Sequence, residues 1–209
     1  MRPALSLKEA IVLADVPEKR VRKDIEVGLL SSLVIMRSTT AIDGRIAVRW
    51  NDVFVLAAAY GGQHLNARLR QRILEYAETI ADVSSADSSF CKASSETIEI
   101  DKYVTLDLDK VVALVKPRMD LYAAGLRRIE TRKGVLGGEA VFKHTRLPVL
   151  HVGKVYERGI PMADILNDYP YLTEDDVKFA QLYFHAHPPV GRPRRDGTDV
   201  RDDTVPPVA

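Results

Sequence analysis

The break at Asp15-Val16-Pro17 constrains the fold of this chain more than any other feature. Upstream of it, Ser6 and Glu9 have capping-box spacing, and Leu7, Ala10, Ile11 and Ala14 recur at helical spacing. Downstream, Pro17 suits the first turn of a second helix. Val21 and Ile25 face inward in that helix, and Gly28 is placed to end it as a left-handed cap. Two short helices joined by so tight a turn describe a helix-turn-helix.

The stretch that follows predicts a wing. Two β-prone runs, 33–36 and 45–50, flank a turn containing Asp43-Gly44, a good hairpin signal. Asn51 or Asp52 can then cap a helix through "VFVLAAAY", whose near-continuous apolarity implies burial. Residues 1–60 therefore read as a winged helix-turn-helix DNA-binding domain.

Residues 61–128 read as a helical connecting or dimerising region with one short strand. An amphipathic helix is expected over 63–81, with Leu65, Leu69, Ile73, Tyr76 and Ile80 on one stripe. The serine-rich 82–96 reads as a loop or linker. "ETIEIDKYVTLDLD" alternates like a half-exposed strand with Ile98 and Ile100 on one face, and 109–128 reads as a helix that Pro117 should kink or split.

Residues 129–187 form the next unit. Short extended pieces surround a Gly137-Gly138 turn, and three short helices are expected at 149–158, ending at Gly159, at 161–167 and at 173–186. From 188 to 209 the composition turns to Pro, Gly and charge, as expected of a flexible, disordered tail. The whole reads as a mainly α fold of α+β class: a winged helix-turn-helix, a helical middle, a C-terminal three-helix unit resembling a helix-turn-helix, and a tail.

Composition narrows the function. With 46% hydrophobic and 28% charged residues the chain has the make-up of a soluble globular protein, so a core is affordable in either half. A formal net charge of +1 means that any nucleic-acid role rests on local asymmetry. Cys91 is the single cysteine, which excludes an intrachain disulfide and a cysteine-based zinc site. No apolar run approaches the ~20 residues that span a bilayer, and the N-terminus reads as an amphipathic helix rather than a signal peptide. A cytoplasmic location with no membrane contact is expected.

Enzyme signatures are absent: no phosphate-binding glycine loop, no dinucleotide fingerprint, no paired-histidine zinc motif and no nucleophile elbow. His185 and His187 stand two apart and so point to different sides of a helix, as helix-end residues rather than a metal pair. No catalytic residue, metal or cofactor is expected. The charge pattern points to DNA instead. Lys19, Arg20, Arg22 and Lys23 place four cations on the outer surface of the second helix, as a helix lying in the major groove requires. Arg45 and Arg49 on the wing would add phosphate or minor-groove contacts.

The last helix has the opposite character, opening with Glu174, Asp175 and Asp176. Carboxylates suit a helix N-terminus but repel phosphate, so this unit is expected to serve a core or a protein partner. In the tail, "GRPRR" sets Arg192, Arg194 and Arg195 on a proline-stiffened segment able to reach a carboxylate cluster on a partner.

The stretch 134–184 resembles the domain-of-unknown-function family 433. The matching positions are Gly137, Gly138, Val141, Thr145, Arg146, Leu147, Pro148, Val149, Gly159, Ile165, Leu166, Asp168, Tyr169, Pro170, Leu172, Thr173, Asp175, Asp176 and Val177. Ala140 replaces a common Pro and His144 a common Gly. Family members with a longer N-terminal region resemble VapB-type antitoxins. That resemblance implies a homodimeric antitoxin of a type II toxin-antitoxin system, bound in a higher complex to a PIN-domain toxin ribonuclease with an acidic, magnesium-dependent site. It also implies autorepression through operator DNA, and toxin binding by Arg192, Arg194 and Arg195. The N-terminal "SLKEAIVLADVPEKRVRKDIEVGLL" is similar to a MerR-type helix-turn-helix, with Asp15 where Gly is common. The alternative is a stand-alone helix-turn-helix transcriptional regulator without a toxin partner.

Overall fold

The computed structural model describes residues 4–30, 36–37, 46–62, 65–85, 97–132 and 136–188. The fold is mainly helical with short antiparallel strands, an α+β arrangement. No helix of the described residues is long and apolar enough to cross a membrane.

The N-terminal helices form as their punctuation dictates. Strand β1 (Leu5–Ser6) leads into α1 (Leu7–Ala14), where Ser6 and Glu9 close a reciprocal capping box. Asp15 ends α1 in the left-handed conformation, with φ 55°, and Pro17 precedes α2 (Glu18–Glu26). Asp15 tolerates a backbone that glycine would otherwise supply, because its short polar side chain suits that region. Gly28, with φ 77°, follows α2 as expected. Val21 is fully buried in α2, whereas Ile25 is only half-buried. Asp24 takes the second inward position.

Strands β2 (Met36–Arg37) and β3 (Ile46–Val48) pair antiparallel, with Met36 opposite Ala47 and Arg37 opposite Ile46. On its other side β3 pairs with β1, giving the strand order β1-β3-β2. The wing strands thus lie against the entry to the helix-turn-helix. The Asp43-Gly44 turn and Arg45 lie outside the described residues. Helix α3 (Asp52–Tyr60) is buried almost all round, as its sequence implied. Neither expected cap forms: Asn51 sits at the N-cap without a side-chain bond, and the Asp52 carboxylate accepts instead from the Arg49 backbone and guanidinium.

The middle region departs from expectation in three places. The single helix expected over 63–81 is two, α4 (Ala67–Glu75) and α5 (Ala77–Ser85), which break at Tyr76. The apolar stripe survives the break, with Ile73 and Ile80 buried and Leu65, Leu69 and Tyr76 packed against the core. The α5 helix also extends into the expected serine-rich linker as far as Ser85. The expected strand is a hairpin of β4 (Thr97–Asp101) and β5 (Val104–Asp107), and Ile100 is its buried residue.

Pro117 neither splits nor ends α6 (Leu108–Arg128), a helix of 21 residues. Proline removes one backbone donor and strains the preceding turn. Val115, Met119 and Tyr122 are buried on both sides of it, so packing holds the helix through the defect.

Strand β6 (Ile129–Thr131) leaves α6 and pairs with β7 (Ala140–Phe142), flanking the Gly137-Gly138 turn, where both glycines have positive φ. Helices α7 (Val149–Glu157), α8 (Met162–Asp168) and α9 (Glu174–Ala186) follow within a residue or so of the expected bounds. Helix α9 packs on α7, α6 and α1, so one continuous core joins the C-terminal helices to the helix-turn-helix. Glycines allow the two closest crossings. A methyl group on Gly153 of α7 would overlap the Ala180 carbonyl, and one on Gly125 of α6 would overlap the Phe179 ring. Tyr122 bridges the halves by donating its hydroxyl hydrogen to Glu9 Oε1 at 2.8 Å. Burial, and then the Glu9 carboxylate, push the Tyr122 phenol up.

Candidate nucleic-acid interface

Helix α2 shows one inward and one outward chemistry. On the inner side, Asp24 is 5% exposed and fully satisfied. Its Oδ2 accepts from Arg70 Nε at 2.8 Å and from the Tyr60 hydroxyl at 3.0 Å, and its Oδ1 accepts from Arg70 Nη2 at 3.2 Å. Arg70 also donates to the Leu65 carbonyl at 2.7 Å. Burial first, and then Asp24, push the Tyr60 phenol well above its ordinary range. Buried charge survives only when paired and hydrogen-bonded, and here the pairing ties α2 to α3 and α4.

On the outer side, Lys19, Arg22 and Lys23 are exposed and Arg20 is half-buried. Arg22 Nε donates to Glu18 Oε1 at 2.8 Å, and Lys8 of α1 pairs with the same carboxylate. Lys8, and then Arg22, hold the Glu18 carboxyl below its ordinary range. Arg20 has an interaction of its own. Lys19 and Lys23 make no ion pair among the described residues. The outer face therefore remains cationic although Glu18 balances part of it.

Arg49, expected on the wing surface, holds both oxygens of the buried Asp52 at 3.0–3.3 Å and lies 3.6 Å from Glu78. Its guanidinium thus secures the start of α3. Arg192, Arg194 and Arg195 lie outside the described residues, as does Arg45. Among the described residues no three His, Cys, Asp or Glu side chains are grouped to hold a metal.

The carboxylates that open α9 have separate tasks. Asp176 is 1% exposed; it accepts from the Thr173 backbone at 2.8 Å and pairs with Arg128 at 2.9 Å. Thr173 returns the bond by accepting from Asp176 N, which closes a second capping box. Glu174 pairs with Lys178 one turn on, at 3.2 Å. His185 meets Glu157 at 2.9 Å, and His187 stacks on Tyr183 at 4.1 Å, so both are occupied at the helix end.

The turn after β7 is equally specific. Thr145 Oγ1 donates to the Phe142 carbonyl and accepts from Leu147 N, while His144 takes the left-handed conformation with φ 62°.

Residues 129–184 match the family described as "Protein of unknown function (DUF433)". The His144 geometry explains why the DUF433 pattern favours glycine at that position. Buried Leu147, Ile165, Leu172, Asp176 and Val177 show that much of the DUF433 signature is a folding signature of caps and core. Its exposed members are Arg146, Asp168, Pro170 and Asp175. The chain is also similar to "Uncharacterized protein y4eO" of Sinorhizobium fredii (strain NBRC 101917 / NGR234), 29% identical over 104 residues. Those residues are 50% of this chain and 47% of that protein, so the match spans about half of each. No solved structure matches significantly.

Sequence reasoning missed Asp24 and Arg70, which anchor the cationic helix. It also missed the cations at the end of α6. A signal for Asp24 existed in its place one turn after Val21 on the inward face.

Proposed function

We propose that this chain is the antitoxin of a type II toxin-antitoxin system, a cytoplasmic non-enzymatic protein that neutralises a PIN-domain ribonuclease toxin and represses its own operon. The observation that carries the DNA half is the outer face of α2, where Lys19, Arg20, Arg22 and Lys23 project from a helix anchored behind by Asp24 and Arg70. A homodimer would present two such helices to adjacent major grooves. The toxin half is supported by the similarity of residues 129–184 to DUF433 and by the resemblance of longer members to VapB-type antitoxins. In this reading Arg192, Arg194 and Arg195 enter the toxin's acidic site and Arg45 supports the wing.

One co-expression experiment tests the assignment. The full chain is expressed with the PIN-like protein encoded beside it; co-purification and loss of ribonuclease activity are expected. Deleting 190–209 should restore ribonuclease activity while leaving DNA retardation intact, and Arg20→Ala with Arg22→Ala should do the reverse. Retardation of upstream DNA with no toxin co-purifying would make the protein a stand-alone regulator and overturn the antitoxin reading.

A further inference from the structure

A cavity of about 600 Å³ opens where the end of α6, the turn after β7 and the segment entering α9 meet. Phe142 and Leu172 form an apolar floor, and Arg127, Arg128, Lys143 and His144 surround it with cationic or titratable groups. No lining residue is acidic. Arg128 is balanced by Asp176, but Arg127 and Lys143 are exposed and make no ion pair among the described residues. The walls are fixed to one another, since Lys143 N donates to the Arg128 carbonyl at 2.9 Å and His144 N to Glu130 Oε1 at 3.3 Å.

Tyr171 completes the lining and is 50% exposed, beside the apolar floor. Its ring stands edge-on to Tyr169, with centroids 6.3 Å apart, which leaves it available to a further planar group. Unbalanced cations beside an open aromatic ring on an apolar floor are the pairing that single-stranded nucleic acid uses: phosphate on the cations, an unpaired base on the ring. A duplex keeps its bases stacked inside and cannot offer one here. An acidic peptide would satisfy the cations but has no flat group for Tyr171.

We propose that this cavity binds single-stranded nucleic acid, with a backbone phosphate between Arg127 and Lys143 and a base against Tyr171. This site is separate from the duplex-reading face of α2, and the proposal does not rest on that reading. The test is fluorescence anisotropy of the full chain with a labelled 12-residue oligothymidylate, alongside a labelled oligoglutamate peptide of similar charge. Arg127→Ala with Lys143→Ala should weaken oligothymidylate binding at least tenfold and lower the salt slope by about 1.4. Tyr171→Ala should cost about tenfold, and Tyr171→Phe, which keeps the ring, should restore it. Circular dichroism of each variant checks that it folds, and Arg127→Lys serves as a charge-keeping control. Unchanged affinity in the double variant or in Tyr171→Ala would overturn the proposal. So would tighter binding of oligoglutamate that ignores Tyr171, which would mark the cavity as a site for an acidic protein segment.

Discussion

Replacing Arg70 with Met tests how α2 is held. Met keeps much of the aliphatic volume but removes three hydrogen bonds: two to Asp24, at 2.8 and 3.2 Å, and one to the Leu65 carbonyl, at 2.7 Å. The Arg70 and Asp24 side chains are only 9% and 7% exposed, so water cannot replace what is lost. Asp24 would retain the Tyr60 hydroxyl but no counter-charge. Removing one partner of a buried pair costs about 3–5 kcal/mol, because the other charge stays buried. That is a large part of the ~5–15 kcal/mol that holds a typical domain, and it corresponds to a midpoint drop on the order of 10 °C. The triple variant Asp24→Leu, Tyr60→Phe, Arg70→Met leaves no orphaned polar side chain and should recover most of the loss. Urea unfolding followed by circular dichroism measures both. An Arg70→Met cost below ~1 kcal/mol, or a triple variant no more stable than the single one, would refute the reasoning.

Three further outcomes are expected. Gly153→Ala should destabilise by about 1–3 kcal/mol in urea unfolding, because its methyl overlaps the Ala180 carbonyl where α7 crosses α9. Thr173→Ala should cost ~1 kcal/mol by opening the capping box with Asp176, and Thr173→Ser should restore it. Glu18 has a carboxyl lowered from its ordinary 4.5 by Lys8 and Arg22. Its stabilisation is therefore complete above pH 4.5 and lost as the pH falls through the lower folded value. Glu18→Gln should show a shallower acid-side loss of thermal midpoint than the native chain.

Local chemistry was legible in the sequence and long-range chemistry was not. The Ser6–Glu9 box, the break before Pro17 and the glycine ends at Gly28 and Gly159 placed helices because each acts within a few residues. Three helices after residue 148 followed from the same punctuation. Asp24 gave no comparable warning, since within "KRVRKDIE" a carboxylate reads as one more member of a charged face. Its burial depends on Tyr60 and Arg70, which lie 36 and 46 residues away. The break at Tyr76 and the continuity through Pro117 were also set by packing that propensity does not contain. Arg49 was read as a phosphate contact because its pairing with Asp52 depends on how the chain turns into α3. The cavity at the end of α6 was hidden for the same reason: only the β6–β7 pairing brings Lys143 beside Arg127 and Arg128.

The α9 carboxylates show how charge can be misread in sequence. Asp176 is a buried cap paired with Arg128, so it presents no charge to a partner, and only Glu174 and Asp175 remain on the surface. The acidic start of α9 is thus chiefly a device for joining that helix to α6.

The salt dependence of binding to the DNA upstream of its own gene tests the central claim most directly. If each protomer of a dimer neutralises about four phosphates through α2, log K should fall against log salt with a slope near −7. Lys19→Ala with Lys23→Ala removes two exposed cations per protomer and should bring the slope to about −3.6. A native slope near zero, or a slope unchanged in that variant, would contradict the assignment of DNA reading to α2.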